Sequence, residues 1–244
     1  PTRGYVLNHM TDVLSTLDTL SPQARVDAWL ADFEAALKAR DIDRVTSKFL
    51  VASFWRDLVA FTWNIKTVEG RDEIADMLAH RLHEVDPSGF RTREAPTEET
   101  VGGEPVVSAF IEFETAVGRG VGHLRLKGQQ CWTLLTTLQE LKGFEERRGP
   151  TRPLGAVHGS DPDIRSWAEK RAEEQAALGH TVQPYVLVVG GGQGGIALGA
   201  RLRQLDVPTL VIDRHDRPGD QWRKRYKTLC LHDPAWYDPL PYLP

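Results

Sequence analysis

One junction constrains this sequence more than any other feature. The apolar run Tyr185-Val186-Leu187-Val188-Val189 passes directly into Gly190-Gly191-Gly192-Gln193-Gly194-Gly195, and then into Ile196-Ala197-Leu198-Gly199-Ala200-Arg201-Leu202. A short apolar run bounded by glycine predicts a strand buried on both faces of a parallel sheet. The glycines fit G-x-G-x-x-G at Gly190, Gly192 and Gly195. Gly190 permits the tight turn out of the strand, Gly192 has no side chain to hold a diphosphate off the backbone, and Gly195 lets the helix approach the sheet. The first turn of that helix offers unpaired N–H groups and partial positive charge to an anion.

Such a glycine run alone is a weak signal, because glycine-rich turns are common. Here a second strand, Thr209–Ile212, follows and ends at Asp213, 23 residues after Gly190. That is close to the ~20-residue spacing at which a carboxylate accepts from ribose hydroxyls. Strand, loop, helix, strand and acid together predict dinucleotide binding. The acid disfavours a 2′-phosphate, which leaves NAD and FAD as candidates for this motif.

Beyond Asp213 lie Arg217-Pro218-Gly219-Asp220-Gln221-Trp222-Arg223-Lys224-Arg225-Tyr226, then Leu229-Cys230-Leu231-His232-Asp233-Pro234 and Leu240-Pro241-Tyr242-Leu243-Pro244. From Tyr185 to Pro244 the chain resembles the start of a class B flavin-dependent monooxygenase, most of all the branch of plant auxin-forming flavin monooxygenases and their bacterial relatives. The resemblance implies that Gly219, Trp222 and Arg223 match a stretch passing the FAD. It implies likewise that Leu231, His232 and Pro234 match one approaching the flavin ring. Asp213 stands where that family usually has Glu, and Asp220 where a second Gly is common.

The cofactor-holding residues expected on this basis are Gly190, Gly192, Gln193, Gly195, Asp213, Arg214, Gln221, Trp222, Arg223 and His232. The implied reaction takes a hydride from NADPH and oxygenates a small organic substrate with dioxygen through a flavin C4a-peroxide. The NADPH site is expected beyond Pro244. The sequence is accordingly read as a truncated piece of a longer enzyme, inactive alone, and no catalytic residue is assigned. A flavin disulfide reductase shares the first motif and remains an alternative, although it needs a C-x-x-C or C-x-x-x-x-C that these residues lack.

The first 150 residues have another character. Ser21-Pro22 predicts a helix start, with Val26, Trp29, Leu30, Phe33 and Leu37 on one stripe. A short helix carries Ile42, Val45 and Phe49, an aromatic strand runs from Ser53 to Phe61, and a third helix covers Gly70–Leu82. After Pro87-Ser88-Gly89 the pattern is β: Val107, Ala109, Ile111 and Phe113 alternate with Val106, Ser108, Phe110 and Glu112. Further strands are expected over Gly120–Lys127, Gln130–Leu138 and around Glu140–Arg147.

Helices followed by antiparallel strands predict an α+β fold. The order and length resemble the nuclear transport factor two-like cone of ketosteroid isomerase, a curved antiparallel sheet plus helices, here followed by the first βαβ part of a Rossmann-type FAD-binding domain. Ser53–Asp57 and Val68–Ile74 carry that resemblance, and some bacterial flavin monooxygenases carry such a domain as an N-terminal extension. The expected organisation is a tail over 1–20, the α+β domain over 21–150, a linker over 151–183 and the incomplete Rossmann-type domain over 184–244. In the linker, Asp161 is expected to cap a helix with Pro162 in its first turn, and Gly179 lies past its end.

Polar candidates inside the cone are Asp57, Glu112, Glu114 and His123, since a buried carboxylate of raised pKa serves as a general base in isomerases of this kind. Trp55, Phe61, Trp63, Phe110, Phe113 and Trp132 are expected in the core or lining a pocket. His80 and His83 have the spacing of two metal ligands, but no third group completes the set, so they are read as solvent-facing and no metal is expected. The fold serves enzymes and binding modules alike, so a homodimer through this domain is the rival reading of its role.

A net charge of −4 gives nucleic acid no evident footing, and no apolar run approaches the ~18 residues of a membrane span. Two distant cysteines, Cys131 and Cys230, form neither a disulfide framework nor a zinc site, which suits a reducing cytoplasm. From Tyr185 onward eight Lys and Arg face six Asp and no Glu, so this is the positive part of an acidic chain.

Overall fold

A computed structural model describes residues 20–152, 164–230 and 232–242. Asp161, Pro162 and Leu231 fall outside them. The chain divides into two compact units, one ending at Phe144 and the other starting at Glu145.

The N-terminal unit opens with α1 (Pro22–Ala39). Ser21 caps it by accepting from the Ala24 N–H at 3.2 Å, and Arg40 ends it in the left-handed region at φ 55°. Its expected stripe, Val26, Trp29, Leu30, Phe33 and Leu37, is buried. Helix α2 (Ile42–Ser47) is capped by Asp41, whose side chain accepts from the Arg44 N–H. Phe49 does not continue that helix. The Lys48 carbonyl accepts from the Cys131 N–H at 2.8 Å, and Phe49 opens strand β1 (Phe49–Leu58) paired with Cys131. The aromatic strand therefore starts earlier than the sequence suggests and stops at Leu58, with Phe61 in the following turn.

Strand β2 (Ile65–Glu69), helix α3 (Gly70–Val85) and strands β3 (Ser88–Thr92), β4 (Thr97–Val101), β5 (Glu104–Glu114), β6 (Gly118–Lys127) and β7 (Gln130–Leu141) complete the unit. The sheet order is β2-β1-β7-β6-β5-β3, with β4 also paired to β5. The α+β class holds, but the sheet is mixed: β1 runs parallel to β7, and the other pairs are antiparallel. Strand alternation records which face is buried and not the direction of the partner, so this crossover was invisible in the sequence. No separate strand forms over Glu140–Arg147, because Glu140 and Leu141 simply extend β7.

The helices cover one face of the sheet. Val107, Ala109, Ile111 and Phe113 of β5 are buried there, alongside Leu124, Leu126, Cys131, Leu134 and Trp55. Phe33, Phe49, Phe61, Phe90 and Phe113 join Trp55 in a continuous aromatic cluster, with ring centroids 4.9–6.1 Å apart between neighbours. Such rings fill the interior of the unit with side chains (aromatic pairs gain beyond their buried area). Trp63 and Phe110, expected in the core, are instead 55% and 50% exposed. Trp63 sits in the β1–β2 turn at φ 54°, and Phe110 points to the opposite sheet face from Ile111.

In the C-terminal unit, α4 (Trp167–Ala177) starts at Ser166, which accepts from the Glu169 N–H at 3.2 Å while Glu169 accepts from the Ser166 N–H at 2.7 Å. This reciprocal cap makes Ser166, and not Asp161, the N-cap of the described helix. Gly179 follows its end at φ 82°. Strand β8 (Val186–Val189), helix α5 (Gln193–Gln204) and strand β9 (Thr209–Ile212) then form a βαβ unit whose strands pair in parallel, Val186 with Thr209 through Val189 with Ile212. Only Val188 of β8 is buried; Leu187 and Val189 are 56% and 79% exposed. The expected burial on both faces is therefore not observed, since α5 packs against only one face of a two-stranded sheet. Among the described residues no helix is long and apolar enough to cross a membrane.

Candidate functional site

The polar candidates of the N-terminal unit are occupied by structure. Asp57 is fully buried. Its carboxylate accepts from the Phe61 N–H (3.0 Å), the Thr62 N–H (2.8 Å), the Thr62 hydroxyl (2.8 Å) and the Thr136 hydroxyl (2.7 Å). Thr136 in turn accepts from the Trp55 indole N–H at 2.9 Å. These bonds hold the β1–β2 turn, in which Val59 and Trp63 both have positive φ, costly for a β-branched or bulky residue. Asp57 is a clamp for that turn, with its acceptor capacity taken up by local donors.

Glu112 pairs with Arg91 at 2.5 Å across β3 and β5, and Glu114 with Lys142 at 2.9 Å. The Lys142 ammonium holds the Glu114 carboxyl below its ordinary range. Glu112 and His123 point to the sheet face away from the helices, where His123 shares a 2.9 Å hydrogen bond with Ser108 and lies 4.7 Å from the Phe110 ring. Burial, joined by the charge of Arg125 and opposed by Glu99, lowers the His123 pKa. His80 and His83 are exposed beside Asp76 and Glu84. Among the described residues no three His, Cys, Asp or Glu side chains gather as a metal site.

The C-terminal unit presents a different arrangement. Where β8 ends, Gly190 adopts φ 109°, open to glycine alone, while its N–H still donates to the Ile212 carbonyl at 2.7 Å. A β-carbon on Gly195 would stand 1.8 Å from the Gly190 carbonyl oxygen. The helix can approach the loop only because that carbon is missing. Gly192 is different in kind: its φ of −73° suits any residue, and a β-carbon there would meet no protein atom within 4 Å. Among the described residues neither backbone conformation nor side-chain packing requires glycine at this position, and its one local role is as the N-cap of α5.

Asp213, at the end of β9, reaches back across the sheet ends. Its carboxylate accepts from the Gly191 N–H at 2.6 Å and the His215 N–H at 2.8 Å. These two amides, His215 first, hold its carboxyl below the ordinary Asp value, and its side chain stays exposed to solvent beside the loop. Val189, Gly190, Gly192, Ile212, Asp213, Arg214, His215 and Gln221 together line a groove of about 510 Å³, within the ~300–1,000 Å³ of small-molecule sites.

The groove thus joins Gly190, Gly192, Asp213, Arg214 and Gln221 of the expected set. Gln193 begins α5 and Gly195 is packed beneath the loop. Trp222, Arg223 and His232 do not line the groove. Trp222 lies under the Arg225 guanidinium at 5.0 Å, and His232 is exposed. Arg223 donates to the Pro218 carbonyl at 2.8 Å and to Asp220 at 3.0 Å.

The sequence assigns no role to His215, and it marks Asp220 only as a departure from the family's glycine. His215 lines the groove and helps fix Asp213 through its N–H. Asp220, only 4% exposed, gathers Arg217 at 2.8 Å, Arg223 at 3.0 Å and Lys224 at 3.6 Å around one carboxylate. Arg217, ahead of Arg223 and partly offset by burial, lowers its pKa. Arg223 and Lys224, three and four after the acid, have a readable helical spacing, whereas Arg217 reaches it from the turn before Gly219. Asp220 thereby serves the turn where the resemblance leads one to expect glycine.

One comparison with known proteins falls on the same segment. The model of the NAD(P)-binding Rossmann-like domain matches residues 188–233. An uncharacterized CzcO-like oxidoreductase of Geobacillus kaustophilus is 41% identical over 56 residues, 23% of this chain and 16% of that protein. The indole-3-pyruvate monooxygenase YUCCA1 of Oryza sativa is 40% identical over 62 residues, 25% of this chain and 15% of that protein. The chain therefore spans about one-sixth of the length of these curated relatives. Among solved structures, an NTF2-like protein of Burkholderia xenovorans is similar to the N-terminal part, at 14% identity and a TM-score of 0.31, covering 48% of this chain and 91% of that one.

Proposed function

We propose that this protein is an oxidoreductase whose C-terminal unit holds the adenosine diphosphate half of FAD in the groove between Gly190 and Asp213. With NADPH and dioxygen it would serve as a monooxygenase of a small organic substrate. The observation that carries this reading is Gly192, which lines the groove and where an added β-carbon would meet no described atom beyond its chain neighbours within 4 Å. A diphosphate resting on the backbone would account for it.

In this reading the amides at the start of α5 and the Arg214 guanidinium balance the diphosphate, and Asp213 accepts from the adenosine ribose. Gln193 and Gly195 shape the loop, while Trp222, Arg223 and His232 serve the remainder of the cofactor by resemblance alone. When bound, the flavin supplies the electron transfer and oxygen activation, and the protein positions it and excludes water. The names of the aligned relatives, oxidoreductase and indole-3-pyruvate monooxygenase, support the reaction class.

Retention tests the assignment. Protein incubated separately with FAD, FMN and NADP⁺ and then desalted is expected to keep FAD. FMN should be lost, because it lacks the adenosine half. Equal retention of FAD and FMN, or preferential retention of NADP⁺, overturns the FAD assignment.

For the N-terminal unit we favour a binding and self-association module over a catalyst, since Asp57 is consumed by its turn. Phe54, Ile65 and Phe110, 39%, 64% and 50% exposed, lie on the sheet face opposite the helices. Light scattering on the purified protein should give a dimer, reduced to monomer by Phe110→Asp. A monomeric wild type, or turnover of a small ketone abolished by His123→Ala, refutes the module.

A further inference from the structure

In the N-terminal unit, strand register fixes what stands on the sheet face opposite the helices. Leu135 of β7 and His123 of β6 lie side by side at its centre, flanked by Arg56 of β1 and Phe110 of β5. Phe54 lies one row away on one side, and Val121 with Glu112 one row away on the other. An imidazole thus occupies the middle of a largely apolar face. Its ring is already half-buried, 4.7 Å from Phe110, with Nε2 held by the Ser108 hydroxyl at 2.9 Å.

The charges around the imidazole are spread over the neighbouring strands. Arg125, two residues along β6, lies 3.5 Å from Glu99 of β4. Glu112 of β5 is paired with Arg91 of β3. Strand β7 faces the ring with Leu135, between Thr133 and Thr137. Beyond it on β1, Arg56 donates to the Thr67 hydroxyl at 2.9 Å and meets no carboxylate among the described residues. The strand order β1-β7-β6-β5 places Arg56 and Glu112 on opposite sides of the centre. For two copies face to face, a two-fold axis along the strands between β7 and β6 exchanges the β1 and β5 edges. Each Arg56 then meets the Phe110–Glu112 edge, where a guanidinium gains a ring face and a carboxylate. The charges of this face complement the face itself, which makes a second copy its occupant.

We infer that self-association through this face is gated by His123, whose imidazole must be neutral for two copies to meet. This rests on the self-association reading of the N-terminal unit and adds its regulation. In the joined face the ring loses its remaining solvent. A protonated ring would there be a buried cation beside Arg125 and the incoming Arg56, with Glu99 already engaged by Arg125. Burial first, then Arg125, lowers the His123 pKa in the single copy against the opposing Glu99, and association lowers it further. Association is therefore at full strength above the single copy's pKa and weakens as pH falls through it.

Sedimentation equilibrium of the full chain at fixed ionic strength tests the gate, with circular dichroism at each pH to follow folding. Each copy brings one His123, so a dimer takes up as many as two protons on separating. Its dissociation constant should rise by ~10–100-fold from about pH 7.5 to about pH 5. His123→Gln keeps a partner for Ser108 and carries no charge, so it should dimerise equally across that range. His123→Lys, charged throughout, should be monomeric at about pH 7.5, where wild type is dimeric; this arm needs no acid exposure. A wild-type dimer of constant affinity across the range overturns the gate and leaves self-association standing. So does a pH dependence that His123→Gln retains, and so does a His123→Lys protein as tightly dimeric as wild type. Wild-type protein that is monomeric at about pH 7.5 overturns both readings.

Discussion

The two units explain their conspicuous residues in opposite ways. In the N-terminal unit, buried aromatic and aliphatic side chains are abundant, and the one fully buried acid among the described residues, Asp57, is spent on the turn that the chain makes around it. In the C-terminal unit only Val188 is buried among the described hydrophobic residues, and the conspicuous Gly192, the N-cap of α5, meets no packing demand from the described residues. A residue that its own fold accounts for gives no evidence of chemistry. One that packing leaves unexplained, in a groove with an acid, does.

The contrast yields an ordered set of expectations. The largest effect belongs to Asp57→Ala, which orphans two backbone N–H groups and two hydroxyls and should destabilise the N-terminal unit by about 3 kcal/mol or more. Urea unfolding checks this; a change within ~0.5 kcal/mol, the range of an uninvolved surface site, would mean that Asp57 is free for another task. Next is Gly195→Ala, whose new methyl has no room beside the Gly190 carbonyl. It should cost the C-terminal unit about 1–3 kcal/mol by overpacking and weaken ADP binding by calorimetry, whereas an unchanged midpoint would show that the loop is soft.

A smaller effect is set by pH. Asp213 has a lowered pKa, so its bonds to Gly191 and His215 contribute stability above the ordinary carboxylate range, lost as pH falls through the lowered value. Affinity for ADP should be level from neutral pH down to about pH 5 and decline below about pH 4. A decline centred between pH 6 and 7 would instead implicate a histidine, on the usual value of about 6.5. The smallest effect is expected for Glu112→Gln, which removes a partly exposed ion pair and should change stability by less than about 1 kcal/mol. A loss of several kcal/mol on unfolding would reveal a buried role.

Local features were legible in the sequence. Ser21 and Pro22, the α1 stripe, the β5 alternation and the β8–loop–α5–β9 order all follow from rules acting within one or two turns or one strand. What the sequence hid was non-local. The parallel pairing of β1 with β7 joins segments about 80 residues apart, and the Thr136 hydroxyl that completes the Asp57 clamp comes from the same distance. The hydrophobicity of Trp63 and Phe110 suggests burial, although a left-handed turn and the outer strand face expose them. In the groove, glycine spacing identified Gly190, Gly192 and Gly195, while His215 enters through its backbone amide, which no side-chain pattern encodes.

The central claim is most directly tested with Gly192→Val. Because no described atom beyond its chain neighbours lies within 4 Å of the added β-carbon, the variant should stay folded, losing no more than the ~1 kcal/mol of a poorer helix N-cap, yet fail to bind FAD in a fluorescence titration. Unimpaired FAD binding by a folded Gly192→Val protein would contradict the account.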